Sequence, residues 1–103
     1  MLYAISCEDK PNSLEKRMAA RPEHLKRLEA LQAAGRLVLA GPHPTINSTL
    51  QNGEPGFSGS LIVAEFKNAE AAKDWANEDP YWLTGVYASV MIKPFKQVFP
   101  NDN

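Results

Sequence analysis

The feature that most constrains this chain is a pair of segments, "SLIVAEF" (Ser60 to Phe66) and "VYASVMIKPF" (Val86 to Phe95), that read as strands with apolar residues on both faces. In the first, Leu61 and Val63 point one way and Ile62 and Ala64 the other. In the second, Val86, Ala88, Val90 and Ile92 alternate with Tyr87, Ser89 and Met91. An antiparallel strand with one solvated face alternates cleanly between apolar and polar residues. These strands do not, so their sheet has to be covered on both sides.

The rest of the chain supplies one cover. "LYAIS" (Leu2 to Ser6) reads as a first strand, closed by the polar turn residues "EDKPNS". Leu14, Met18, Leu25, Leu28 and Leu31 then recur at helical intervals. Asn12 lies three residues before Glu15, the spacing of an N-cap with a reciprocal acidic partner, and Gly35 is placed to end the helix. Pro22 falls inside this run. It has no N–H to donate and its ring crowds the carbonyl of Met18, which predicts a kink or two helices, the second starting at Pro22.

"RLVLAGP" (Arg36 to Pro42) predicts a second strand, followed over residues 43–59 by the loop "HPTINSTLQNGEPGFSG". Loops this long in a compact domain are often functional or mobile. After the third strand, "NAEAAKDWANED" predicts a helix capped by Asn68, and "DPYWLTG" a turn into the fourth strand. The order is β-α-β-β-α-β, an α+β, ferredoxin-like arrangement with both helices on one face of an antiparallel sheet. A second copy is the economical cover for the bare face. The expectation is a homodimer packed sheet to sheet, with assembly beyond the dimer left open, and a single domain over residues 1–99 followed by a polar tail at 100–103.

With 11 Lys and Arg against 12 Asp and Glu, the chain has no basic stripe to neutralise phosphates, which argues against a nucleic-acid partner. No stretch approaches the roughly 20 apolar residues of a membrane span, and "MLYAISC" is too short for a secretory leader. The lone Cys7 cannot form an internal disulfide. A cytoplasmic location is expected.

His24 is the first candidate for chemistry, because its spacing to Leu28 and Leu31 puts the imidazole at the edge of the core-facing stripe, with Arg21 one turn earlier. Asp79, in "EDPYW", is the second. The bland readings are a boundary histidine bonded to backbone or water, a solvated arginine and an aspartate that caps a turn before Pro80. In a ferredoxin-like fold, however, the end of the second helix can approach the first. A carboxylate beside an imidazole orients the ring and favours its charged form, which prepares a general acid or base.

Other groups carry less. His43 reads as a solvated loop residue, and two histidines without a cysteine cluster make a poor metal site. Cys7 reads as a small buried hydrophobe. Ser58 and Ser60 lack the glycine frame of a nucleophile elbow, and Gly53, Gly56 and Gly59 do not precede a helix as a phosphate cradle would. Trp75, Tyr81 and Trp82 bracket the Asp79 turn and read as core or dimer contacts that could also wall a small-molecule pocket. No cofactor motif is present.

Taken in order, "LYAIS", "SLEKRMAARPEHLKRLEALQAAGRLVLAGP", "GFSGSLIVAEF", "WANEDPYWLTGVY" and "VMIKPFKQVF" resemble the YciI-like (YCII-related domain) family of the dimeric α+β-barrel superfamily over almost the whole chain. The resemblance implies a protomer that dimerises by stacking sheets and a site in the cleft between sheet and helices. It matches His24 to the histidine of the family's "RPxHL" segment, Asp79 to the aspartate of its "DPY" segment, and Arg21 to the arginine before the proline. Relatives often carry an aspartate in the loop after "AGP", where this chain has Asn47, so no acidic role is carried to that loop. The implied activity is cofactor-independent proton transfer by a lyase or isomerase acting on an unknown small molecule, with His24 moving the proton, Asp79 orienting it and Arg21 holding an anionic oxygen. The alternative is a non-catalytic dimeric module that binds a ligand or a partner, in which the same residues fix the packing.

Overall fold

The computed structural model describes residues 1–45 and 56–101. The elements are β1 (Leu2–Asp9), α1 (Leu14–Ala33), β2 (Leu37–Pro44), β3 (Phe57–Glu65), α2 (Ala69–Asn77), α3 (Pro80–Leu83) and β4 (Tyr87–Phe95). The strands form one antiparallel sheet in the order β2-β3-β1-β4. This is the ferredoxin-like α+β arrangement, with "DPYWLTG" forming one more short helix where a turn was expected.

The two apolar faces of the strands meet different surroundings. Tyr3, Ile5, Ile62 and Ala64 pack with Leu28 and Leu31 of α1 and with Ala72 and Ala76 of α2 into one core. On the opposite face the register aligns Ala4 with Val63 and Lys93, and Val63 with Leu39. Leu39 and Met91 remain 48% and 55% exposed there.

A register shift between Glu8 and Asp9 pairs Glu8 with Ser89 and Asp9 with Tyr87, so that Ala88 is bulged out. The alternation predicted Tyr87 on the face of Ser89 and Met91. The bulge adds one residue and turns Tyr87 into the core beside Tyr81 instead. Gly59 is needed for a related reason, since a Cβ there would fall onto the Cys7 carbonyl oxygen where β3 crosses β1.

α1 is one continuous helix, not two, and it runs through Pro22. Its buried residues, Arg17, His24, Leu28 and Leu31, lie on both sides of the proline. Both halves are anchored in one core, which offsets a lost backbone bond costing about 3 kcal/mol. Asn12 is not the cap. It takes a left-handed conformation (φ 58°), the helix begins after Ser13, and the Ser13 hydroxyl donates back to the Lys10 carbonyl at 2.7 Å.

At the other end, Gly35 (φ 72°) donates to Gln32 O and Arg36 to Leu31 O, a Schellman closure of the helix. Asn68 caps α2, its side chain accepting from the Ala71 N–H at 2.8 Å. The loop is also shorter than expected, because β2 extends to Pro44 and β3 starts at Phe57. Asn47, Gly53 and the last two residues of the tail lie outside the described residues.

Candidate active site

The site is built from α1, α3 and the two strands β2 and β3. On α1, His24 sits one turn before Leu28, so the same helix phase that buries the leucine buries the imidazole. Asp79 is fixed from its own side of the fold. It is the N-cap of α3, with Pro80 at the first helical position, and its Oδ1 accepts the Tyr81 N–H at 2.9 Å.

The two meet across 55 residues of sequence, with His24 Nδ1 2.9 Å from both Asp79 oxygens. Their side chains are 7% and 2% exposed. The capping role and the contact with histidine therefore coexist in one carboxylate. Tyr81 closes the other side of the ring, stacked on it with centroids 4.0 Å apart and planes 17° from parallel.

A cavity of about 410 Å³ lies against this group, walled by Leu25, Leu28, Ala40, Phe57 and Ile62 with His24, Arg17, Arg21, Ser60 and Tyr81 as its polar lining. That composition, mostly apolar with a few convergent polar groups, suits a small organic ligand. Arg21 lines the cavity but is exposed, and among the described residues its side chain makes no hydrogen bond. His43 lies exposed on β2 and does not join the cavity wall.

Arg17 is the residue that sequence reasoning missed. It is 4% exposed. Its Nη1 donates to Asp9 Oδ2 at 2.7 Å and its Nη2 to Ser60 Oγ at 2.7 Å. Its guanidinium also lies 4.6 Å from the centre of the Tyr81 ring. The available signal was its spacing, one heptad before His24 and so on the same helix face. Met18, read as core, is 47% exposed in consequence. Arg27 was also missed, and donates to Asp79 Oδ2 at 3.2 Å.

The electrostatic arrangement is layered. Arginines, imidazole and phenol line the cavity, whereas Asp9 and Asp79 stand behind them and do not. Burial pushes the Asp9 carboxyl above its usual range despite the pull of Arg17, and its Oδ1 has no partner among the described residues. Burial likewise raises the Tyr81 phenol and pushes the Cys7 thiol up to about 12, so Cys7 is an inert core residue. Among the described residues no His, Cys, Asp and Glu side chains gather as a metal set, and no helix is long and apolar enough to cross a membrane.

Known proteins share this architecture. An uncharacterized protein of Haemophilus influenzae is 54% identical over 99 residues, 96% of this chain and all of its own length. Protein YciI of Escherichia coli is 52% identical over the same span. Among solved structures, the 5-chloro-2-hydroxyhydroquinone dehydrochlorinase of Burkholderia phenoliruptrix, in complex with 2,5-dihydroxybenzoquinone, superposes with a TM-score of 0.82 at 25% identity. That match covers 99% of this chain and 100% of the other. The fold is thus that of the dimeric α+β barrels, which are homo-oligomeric proteins. With residues 1–96 matching the family description as well, the chain belongs to the YCII-related domain family.

Proposed function

We propose that this protein is a cofactor-independent enzyme of the lyase or isomerase type, in which His24 moves a proton on a small, enolisable or hydroxylated ring. The observation that carries the reading is the His24–Asp79 contact, 2.9 Å to both oxygens, at the wall of a cavity whose other charged lining is cationic. With Nδ1 directed at Asp79, the second ring nitrogen is the one left to take a proton from the ligand.

The electron pair released by that proton passes into the ring. In a chlorinated hydroxyquinol the chlorine sits on an unsaturated ring carbon, so a proton first adds to that carbon as one ring hydroxyl loses its own and becomes a ketone. Removal of a second hydroxyl proton then sends its electron pair through the ring, and chloride leaves the now saturated carbon with its bonding electrons, whereas in an isomerisation the proton returns at another carbon. Arg17 and Arg21 hold the oxygen on which negative charge develops, a task suited to guanidinium donors in a largely apolar pocket. The related dehydrochlorinase acts on a chlorinated hydroxyquinol, which makes that class the first to try.

The test is chloride release and spectral change with chlorinated hydroxyquinols, for wild type, His24→Ala and Asp79→Asn. The expected loss is at least 10²-fold for His24→Ala, the usual worth of a positioned acid or base. Unchanged turnover in both variants removes the assignment. We further propose that the active form is a homodimer stacked through the open sheet face of Leu39, Met91 and Phe95.

A non-catalytic reading draws on one observation, that Asp79 is fully engaged as a cap and as an ion-pair partner. On that reading His24→Ala destabilises the fold, whereas on the enzymatic one it is tolerated.

A further inference from the structure

We propose that Arg27 is a positioning residue that sets how strongly His24 holds its proton, by sharing the Asp79 carboxylate with the ring. Its consequence for turnover rests on the reading of His24 as the proton-moving group; the contact itself does not.

The carboxylate is pinned at two points. The Tyr81 N–H holds Oδ1 at 2.9 Å and Arg27 Nη1 holds Oδ2 at 3.2 Å. Between these anchors His24 Nδ1 stands 2.9 Å from each oxygen, which is the geometry of a carboxylate unable to swing toward either side. Arg27 is itself held in place. Its Nη2 donates to the Trp75 carbonyl at 2.8 Å, in the last turn of α2, and its guanidinium lies 4.3 Å from the centre of the Trp75 ring. The side chain is only 21% exposed, so water does not screen it as it would a surface arginine.

Asp79 and Tyr81 of α3 contact the ring, and Arg17 and Arg21 of its own helix line the same cavity; behind these, Arg27 bonds Asp79, Asp9 bonds Arg17, and Tyr87 and Cys7 of the sheet share the core with Tyr81. Asp79 is the carboxylate in contact with His24, and among the described residues Arg27 is the one permanent cation bonded to it. A carboxylate already partnered by a guanidinium pulls less on a second cation, so Arg27 favours the neutral imidazole, the form that accepts a proton. Without Arg27 the whole carboxylate charge acts on the ring. Its proton is then held more tightly and a free base is scarcer at neutral pH.

The experiment is an NMR titration of the two histidine rings in wild type, Arg27→Gln and Arg27→Lys, with no substrate present. His43, exposed on β2, serves as the internal reference. In Arg27→Gln the His24 midpoint is expected to rise by about one pH unit, roughly a tenfold change in its protonation ratio. It should rise by less than half of that in Arg27→Lys, with His43 unmoved. A His24 midpoint that stays within about 0.2 unit of wild type in folded Arg27→Gln, or that moves together with His43, overturns the proposal.

Should Arg27→Gln not fold, Arg27→Met carries the test, since it too removes the guanidinium from Asp79; an unmoved His24 in the folded variant overturns the proposal. The turnover profile separates the two readings. If the His24 titration shifts while the pH profile of chloride release does not, the proton-moving role fails and the Arg27 contact stands.

Discussion

Replacing Arg17 with methionine tests the least expected part of the structure, because methionine keeps most of the apolar stem and removes only the guanidinium. In the folded protein that group contacts Asp9 Oδ2 and Ser60 Oγ, both at 2.7 Å, with the Arg17 and Asp9 side chains 5% and 2% exposed. Breaking a buried pair from one side leaves a buried charge without its partner, which costs about 3–5 kcal/mol. Protonation of Asp9 sets the upper limit. Asp9 can always take up a proton, and doing so at pH 7 from an ordinary value of 3.8 costs about 4 kcal/mol at roughly 1.4 kcal/mol per unit.

The expected loss for Arg17→Met at pH 7 is therefore about 3–4 kcal/mol. Its pH dependence has a definite sign. A buried carboxyl with a raised value stabilises the fold below the unfolded value of 3.8 and loses that contribution as pH rises. The variant should thus recover most of its deficit on acidification to about pH 4. Adding Asp9→Asn should recover much of it at pH 7, giving a coupling energy of about 2 kcal/mol or more in a double-mutant cycle. Urea denaturation followed by circular dichroism at the two pH values measures all of this. A loss below about 1 kcal/mol, or an equal loss at both pH values, would refute the buried-pair argument.

Two further outcomes follow from burial. Cys7, pushed from 9.0 to about 12, and Tyr81 and Tyr87, both raised from 10.0, keep their protons in the folded state when the unfolded chain releases them. Stability is therefore complete below about pH 9 and falls above it by roughly 1.4 kcal/mol per pH unit for each group titrating only in the unfolded chain. Urea midpoints between pH 8 and 11 check this, and a flat profile contradicts it. For the open sheet face, sedimentation should give the mass of two chains at micromolar concentration. Leu39→Arg, which puts a charge on a half-exposed apolar position of that face, should give the mass of one, and a wild-type monomer would sink the stacked-sheet dimer.

What the sequence by itself determined was the order of strands and helices, the two-sided apolar strands, the Gly35 closure and the Asn68 cap, together with the identity of His24 and Asp79 as residues to watch. Each of these is local. A Schellman glycine, an N-cap and a strand alternation are decided within a few residues, where backbone sterics and short hydrogen bonds act. The tertiary structure decided the rest. Pro22 reads locally as a break, yet α1 is continuous because the core anchors both of its halves. Tyr87 reads as facing away from the helices, yet one bulged residue, set by pairing with β1, turns it inward. The burial of Arg17 on α1 exists only because its partners Asp9 and Ser60 arrive from β1 and β3. The distance between His24 and Asp79 likewise depends on how α1 and α3 pack on the sheet. Such long-range pairings are not written in any local pattern, because their energy exists only once the chain has brought the partners together and excluded water from between them.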